Sequence, residues 1–201
     1  MKTKGFTIVE VLFSISIVAA VSWTVINFAK NVLGLNQSAS QSLTAQLEGR
    51  KTIKSIVSEV RTAIPSATGA YTIESAATGT LTFFADIDGD GRSERIHYFA
   101  DTATKTLKRG VVISSGNPSS YNLGTEIVTT LANDLLSTST PIFEYFDSSY
   151  AGTSTPLAVP VDVSRIRLIR VTIFIEKDPN RTPLPMKLTS EVMLRNLKDN
   201  L

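Results

Sequence analysis

Acidic side chains alternate through Asp86-Ile87-Asp88-Gly89-Asp90-Gly91-Arg92-Ser93-Glu94. Oxygens at every second residue converge on one centre when a glycine permits the sharp turn between them, which is the pattern that opens an EF-hand-type Ca²⁺ loop. In that reading Asp86, Asp88 and Asp90 offer side-chain ligands at the first, third and fifth loop positions. Arg92 offers a backbone carbonyl at the seventh and Glu94 an oxygen at the ninth. The twelfth position falls on His97, where a complete loop needs a bidentate Glu, so the site is truncated and of weaker affinity. Its ion would stabilise a hairpin rather than catalyse. A plain acidic turn explains the same residues, because Asp and Gly suit turn backbone conformations. The sequence leaves both readings open.

Little else in the chain is suited to catalysis. There are no cysteines and one histidine. Thiolate chemistry, disulfides and multi-histidine metal sites are thereby excluded, and a Ser-His-Asp triad would have to run through His97 alone. No GxSxG, HExxH or Walker-type glycine loop occurs, so the chain reads as a non-enzyme. The 201 residues suit one domain, and a net charge of +2 identifies no partner. Arg165, Arg167 and Arg170 raise the question of an anionic partner such as DNA. Non-specific DNA binding needs several phosphate contacts, however, and three cations on a strand of a near-neutral chain are expected to form a solvated face.

The elements that must position the loop follow from the charge distribution. Between Phe6 and Ala29 the only ionisable side chain is Glu10. That run is long enough to cross about 30 Å of hydrocarbon as a helix, for which about 20 residues suffice. Lys2 and Lys4 precede it, so the positive-inside tendency places the amino terminus in the cytoplasm and everything after Lys30 outside. A cleaved secretory signal is the competing reading, with Val18 and Ala20 preceding a cut before Val21. The apolar run nonetheless continues to Ala29, beyond the roughly 7–15 residues of a signal-peptide core.

The segment Lys4-Gly5-Phe6-Thr7-Ile8-Val9-Glu10 resembles the class III prepilin signal of type IV pilins and type II secretion pseudopilins. That pattern is a short basic leader, a glycine, an aromatic residue and a Glu four positions on, followed by a proline-free apolar run. The resemblance implies cleavage by a prepilin peptidase between Gly5 and Phe6 and N-methylation of Phe6. It further implies retention of the hydrophobic segment in a filament built with other pilins or pseudopilins on an inner-membrane assembly platform. The closing stretch Ser190 to Leu197, and the strand, turn and strand around Asp86, resemble the J-type minor pseudopilins.

Glu10 bears on that resemblance physically. A carboxylate within a membrane span costs roughly 2.5–3.5 kcal/mol, so it calls for a partner. The resemblance implies pairing with the amine freed on Phe6 of a neighbouring subunit, two costly charges becoming one pair. Alternatively Glu10, four residues into the span, snorkels to the headgroups.

The expected fold is α+β and pilin-like: a long N-terminal helix, transmembrane in its first half, packed on a C-terminal antiparallel β-sheet head. The divisions are a leader at 1–5, a transmembrane or filament-core helix at 6–29, an amphipathic second half at 30–64 and a β-rich head at 65–201. A helix from about Thr7 to Ala63 would extend roughly 85 Å. Leu35, Ala39, Leu43 and Leu47, then Ile53, Ile56, Val57, Val60 and Ile64, define its apolar stripe. Arg50, Lys51, Lys54, Glu59 and Arg61 lie opposite.

Strands are expected at Thr80–Ala85, Arg95–Ala100, Thr106–Ser114, Ile142–Phe146, Arg165–Glu176 and Met186–Arg195, with Glu126–Leu136 a short helix or a strand. Two function classes result. One is a minor pilin or pseudopilin at the initiation point or tip of a type IV pilus or type II secretion pseudopilus, lying first in the inner membrane and then in a periplasmic or extracellular filament. The other is a membrane-anchored or secreted Ca²⁺-binding domain. A DNA-uptake (competence) pseudopilin is a variant of the first.

Overall fold

The computed structural model describes residues 5, 7–136, 140–176 and 185–194. Its first element is the helix α1 (Ile8–Arg61). No proline occurs before Pro65, and the residue preceding a proline is driven out of helical conformation, so the helix ends close to where the sequence says it must. The N–H groups of Thr62 and Ala63 close its last turn on the carbonyls of Glu59 and Val60. By packing, the chain divides into two compact units, residues 1–43 and 44–201.

In the first unit every described residue from 7 to 33 is exposed, including Phe13, Trp23 and Phe28. Such an exposed apolar surface is unlike that of the core helix of a globular protein, which hides its apolar stripe. Its stretch of low charge is long and apolar enough to cross a membrane.

In the second unit, the part of α1 from Thr44 onward buries Ala45, Gly49, Thr52, Ile56 and Val60. These recur every three or four residues and so share one face. Leu43 and Leu47, expected in the buried stripe, are exposed, as is Leu35 in the first unit. The buried face is instead led by small residues, because here the sheets come close to the helix backbone. A side chain at Gly49 would collide with Leu188 Cδ1.

Among the described residues ten strands follow: β1 (Ile73–Ala76), β2 (Thr80–Ala85), β3 (Glu94–Asp101), β4 (Thr106–Val112), β5 (Ser114–Ser115), β6 (Ser120–Tyr121), β7 (Ile127–Ala132), β8 (Phe143–Phe146), β9 (Leu168–Ile175) and β10 (Met186–Met193). All pairings are antiparallel. They form a five-stranded sheet β1-β2-β3-β4-β7, a three-stranded sheet β10-β9-β8 and the small β5-β6 hairpin. The expected α+β class with an antiparallel head is therefore present, its strands distributed over separate sheets. Of the expected Glu126–Leu136 segment, Ile127–Ala132 resolves as strand β7.

One apolar core joins the helix face (Ile56, Val60) to Leu81, Phe83 and Ile96 of the larger sheet and to Phe143, Ile169, Val171 and Ile173 of the smaller. Thr52 Oγ1 donates to the Leu131 carbonyl of β7 at 2.8 Å, which satisfies an edge-strand acceptor inside that core. Part of the expected C-terminal motif, Arg195 to Leu197, and most of the turn from Asp178 to Leu184 lie outside the described residues.

Candidate functional site

The acidic loop connects β2 to β3, and Ala85 and Glu94 pair across its base. Each aspartate first organises the turn. Asp86 Oδ1 accepts from the Gly89 N–H at 2.7 Å and its Oδ2 from the Gly91 N–H at 3.0 Å. Asp88 Oδ1 accepts from Asp90 N–H at 3.1 Å, and Asp90 Oδ1 from Arg92 N–H at 2.7 Å. Gly89 and Gly91 have φ of +79° and +84°, the left-handed region that a Cβ disfavours, so the two glycines make the loop's tight course possible.

This folding brings one carboxylate oxygen each of Asp86, Asp88 and Glu94 within 4.8 Å of one another. Asp90 lies outside that trio, and Arg92 is exposed, its N–H held by Asp90. His97, at the twelfth loop position, belongs to β3. There it contacts Glu126 Oε1 at 3.2 Å through Nδ1 and Thr80 Oγ1 at 3.1 Å through Nε2.

Glu94 differs from its three companions. It is 1% exposed, whereas Asp88 and Asp90 face solvent. Its Oε2 accepts from the Ile87 N–H at 2.9 Å, and its Oε1 is buried without a hydrogen-bond partner. Burial pushes its carboxyl above the ordinary value of 4.5. The Ile87 N–H opposes that shift, and the neighbouring charges of Asp88, Asp90 and Asp86 add to it.

The loop's base is held by a residue that sequence reasoning did not single out. Tyr121 Oη donates to the Ser93 carbonyl at 2.8 Å, lies 2.9 Å from Ser93 Oγ, and accepts from the Ala67 N–H at 2.9 Å. Its ring packs on Phe84 at 5.1 Å between centroids. On the other side Ala85 bridges Ala63, and the Phe84 carbonyl accepts from Ile64 N–H at 2.9 Å. Both ends of the loop are thus fastened to the chain just after α1. A lone tyrosine in a short hairpin carries no periodic signal by which this role could have been read.

The N-terminal site residues belong to the other unit. Gly5 is exposed with open space around it, and Phe6 lies outside the described residues. Glu10 stands exposed in the first turn of α1, where a negative charge complements the helix dipole. Its own N–H is capped by Thr7 Oγ1 at 3.3 Å. Within the apolar stretch, Ser14, Ser16, Thr24 and Asn27 donate back to the carbonyls of Glu10, Leu12, Val21 and Trp23. A helix in hydrocarbon must satisfy its polar groups internally, and these four do so.

Of the three arginines expected on a solvated face, Arg165 is exposed, whereas Arg167 and Arg170 are half-buried. Arg165 pairs with Asp147 at 2.7 Å, and Arg167 Nη1 donates to the Ser164 and Ile166 carbonyls. Arg170 joins three strands: it contacts Glu191 at 2.9 Å, Glu144 at 3.3 Å and Tyr150 Oη at 2.7 Å, and stacks over Phe146 at 4.6 Å. Arg170 is engaged in this way because the antiparallel register places Glu144 and Glu191 opposite it.

Comparison with protein-family models, with curated proteins and with solved structures found no match to this chain.

Proposed function

We propose that the chain is a minor pilin-like or pseudopilin-like subunit, held by α1 in the inner membrane and assembled helix against helix into a filament. The observation that carries this reading is the state of α1 between Thr7 and Leu33. Every described residue there is exposed, Glu10 is the only acid, and the same helix continues into a face that anchors an antiparallel head. Lipid or sister helices are the two environments in which such a surface is covered, and a subunit that moves between them needs both.

On this reading a prepilin peptidase cuts between Gly5 and Phe6, Phe6 becomes an N-methylated terminus, and Glu10 receives the terminal amine of a neighbour. The Gly5-Phe6 context followed by Glu10 supports that assignment. Whether the filament is a type IV pilus, a secretion pseudopilus or a DNA-uptake pseudopilus is decided by its sister subunits, so co-purification with them is the informative assay.

The test of the core reading is mass spectrometry of the amino terminus of protein made in a host carrying a prepilin peptidase. A mature chain beginning with methylated Phe6 is expected. A start at Val21 identifies a secreted domain, and an intact Met1 a plain membrane anchor; either result overturns the filament reading.

A further inference from the structure

We propose that the β2–β3 loop binds one Ca²⁺ ion through Asp86, Asp88 and Glu94, and that the ion locks the loop's base against the segment following α1. The acid cluster alone would not carry this; the buried carboxylate does. Glu94 is 1% exposed, Oε1 has no hydrogen-bond partner, and the carboxylate faces Asp86 and Asp88 with one oxygen of each within 4.8 Å. Two oxygens bound to one Ca²⁺ at about 2.3–2.6 Å lie no more than about 5 Å apart, so the spacing of this trio is that of oxygens sharing one ion, to within a small inward movement.

Charge points the same way. Among the described residues, no lysine or arginine pairs with Asp86, Asp88, Asp90 or Glu94. Four neighbouring carboxylates, one of them removed from water, form a site that a cation from outside the chain stabilises at neutral pH, because a buried charge without a counter-charge is strongly unfavourable. The donor set is oxygen only, which selects hard cations. Asp90 and the Arg92 carbonyl are the next oxygens along the loop, and water completes the shell. With His97 occupied by Glu126 and Thr80, no bidentate carboxylate closes the site. Its affinity therefore belongs with the extracellular modules, at about 10⁻⁴–10⁻³ M.

The consequence for the fold runs through the loop's two ends. Ser93, adjacent to Glu94, holds Tyr121 Oη, which accepts from Ala67 N–H, while Phe84 and Ala85 hold Ile64 and Ala63. An ion drawing Asp86 and Glu94 together fixes the separation of these two attachments.

The experiment is titration of the full chain in detergent micelles with CaCl2, read by calorimetry and by thermal unfolding, against MgCl2 and chelator. Saturable Ca²⁺ binding and a melting temperature raised by several degrees, reversed by chelator, are expected. Glu94→Gln should weaken binding at least tenfold while melting no lower than wild type in chelator, a combination that a merely structural glutamate would not produce. Asp88→Asn, at an exposed position whose turn hydrogen bond an amide oxygen retains, should weaken binding with the fold intact. Absence of saturable binding up to 10 mM CaCl2, wild-type affinity in both variants, or an equal response to Mg²⁺ would overturn the assignment. These results are independent of how the amino terminus is processed.

Discussion

Glu59 of α1 accepts the phenolic proton of Tyr98 on β3 at 2.7 Å, through the same Oε2 that receives Arg109 Nε of β4 at 3.0 Å. Tyr98 is fully buried, and burial together with the adjacent carboxylate pushes its phenol far above the ordinary range, so it acts only as a neutral donor. One carboxylate thereby ties the helix to two strands of the larger sheet. Tyr98→Phe removes a hydrogen bond to a charged acceptor and should cost about 1.5–3 kcal/mol. Glu59→Leu strands a largely buried guanidinium and should cost more, about 3 kcal/mol or above. Thermal unfolding ranks the two; equal losses would mean that Arg109 does not depend on Glu59.

Gly49 tests how closely the helix approaches the smaller sheet. A Cβ there meets Leu188 Cδ1, with Ile175 Cδ1 at 3.0 Å, both tips of side chains that can turn aside. Gly49→Ala gains helix propensity of about 1 kcal/mol against that displacement and should fall within about 1 kcal/mol of wild type. Gly49→Leu has no such room and should destabilise by about 1–3 kcal/mol. If denaturation of the leucine variant is unchanged, the helix and β10 are farther apart than described.

The pH response of the metal-free protein should carry the signature of Glu94. Its carboxyl is raised by burial, so the folded state holds the proton more firmly than the unfolded chain does. Stability contributed by the protonated form is fully present below the ordinary value of 4.5 and is lost as pH rises through the elevated folded value. In chelator, the melting temperature of wild type relative to Glu94→Gln should therefore fall from pH 4 to pH 7. Constant separation of the two curves would show that Glu94 ionises as an ordinary surface acid.

Glu10→Leu separates anchoring from assembly. Leucine is at least as favourable in hydrocarbon, so membrane fractionation should find the variant inserted normally. Sheared filament preparations should lack it, because a neighbour's terminal amine then has no counter-charge. Unchanged incorporation would leave Glu10 with no role beyond its favourable position in the first helical turn.

What could be read in advance followed from locality. Thr80–Ala85 was legible to the residue, because a β-rich run beside an acidic glycine turn defines a hairpin by itself. The helix was legible because proline is excluded from it and charge avoids its first half. β1 was not, since Ile73-Glu74-Ser75-Ala76 offers only Ile73 and a single methyl at Ala76, without apolar alternation, and carries a register shift against β2. Glu59 was misplaced on the solvent side because its partners lie 39 and 50 residues away, where helical periodicity carries no information. In the acidic loop, the spacing pointed to five ligand positions, and the carboxylates of only Asp86, Asp88 and Glu94 come within 4.8 Å of one another, without Asp90. That Glu94 alone is buried, and that Tyr121 fastens the base, depend on contacts made across the sheet.

The closure of Ser14, Ser16, Thr24 and Asn27 onto their own helix has a consequence for anything that lies alongside. On the proposed filament reading, a sister helix alongside would meet four polar side chains already turned back onto their own backbone. Glu10, the only ionisable side chain between Phe6 and Ala29, would then set the axial stagger at one height.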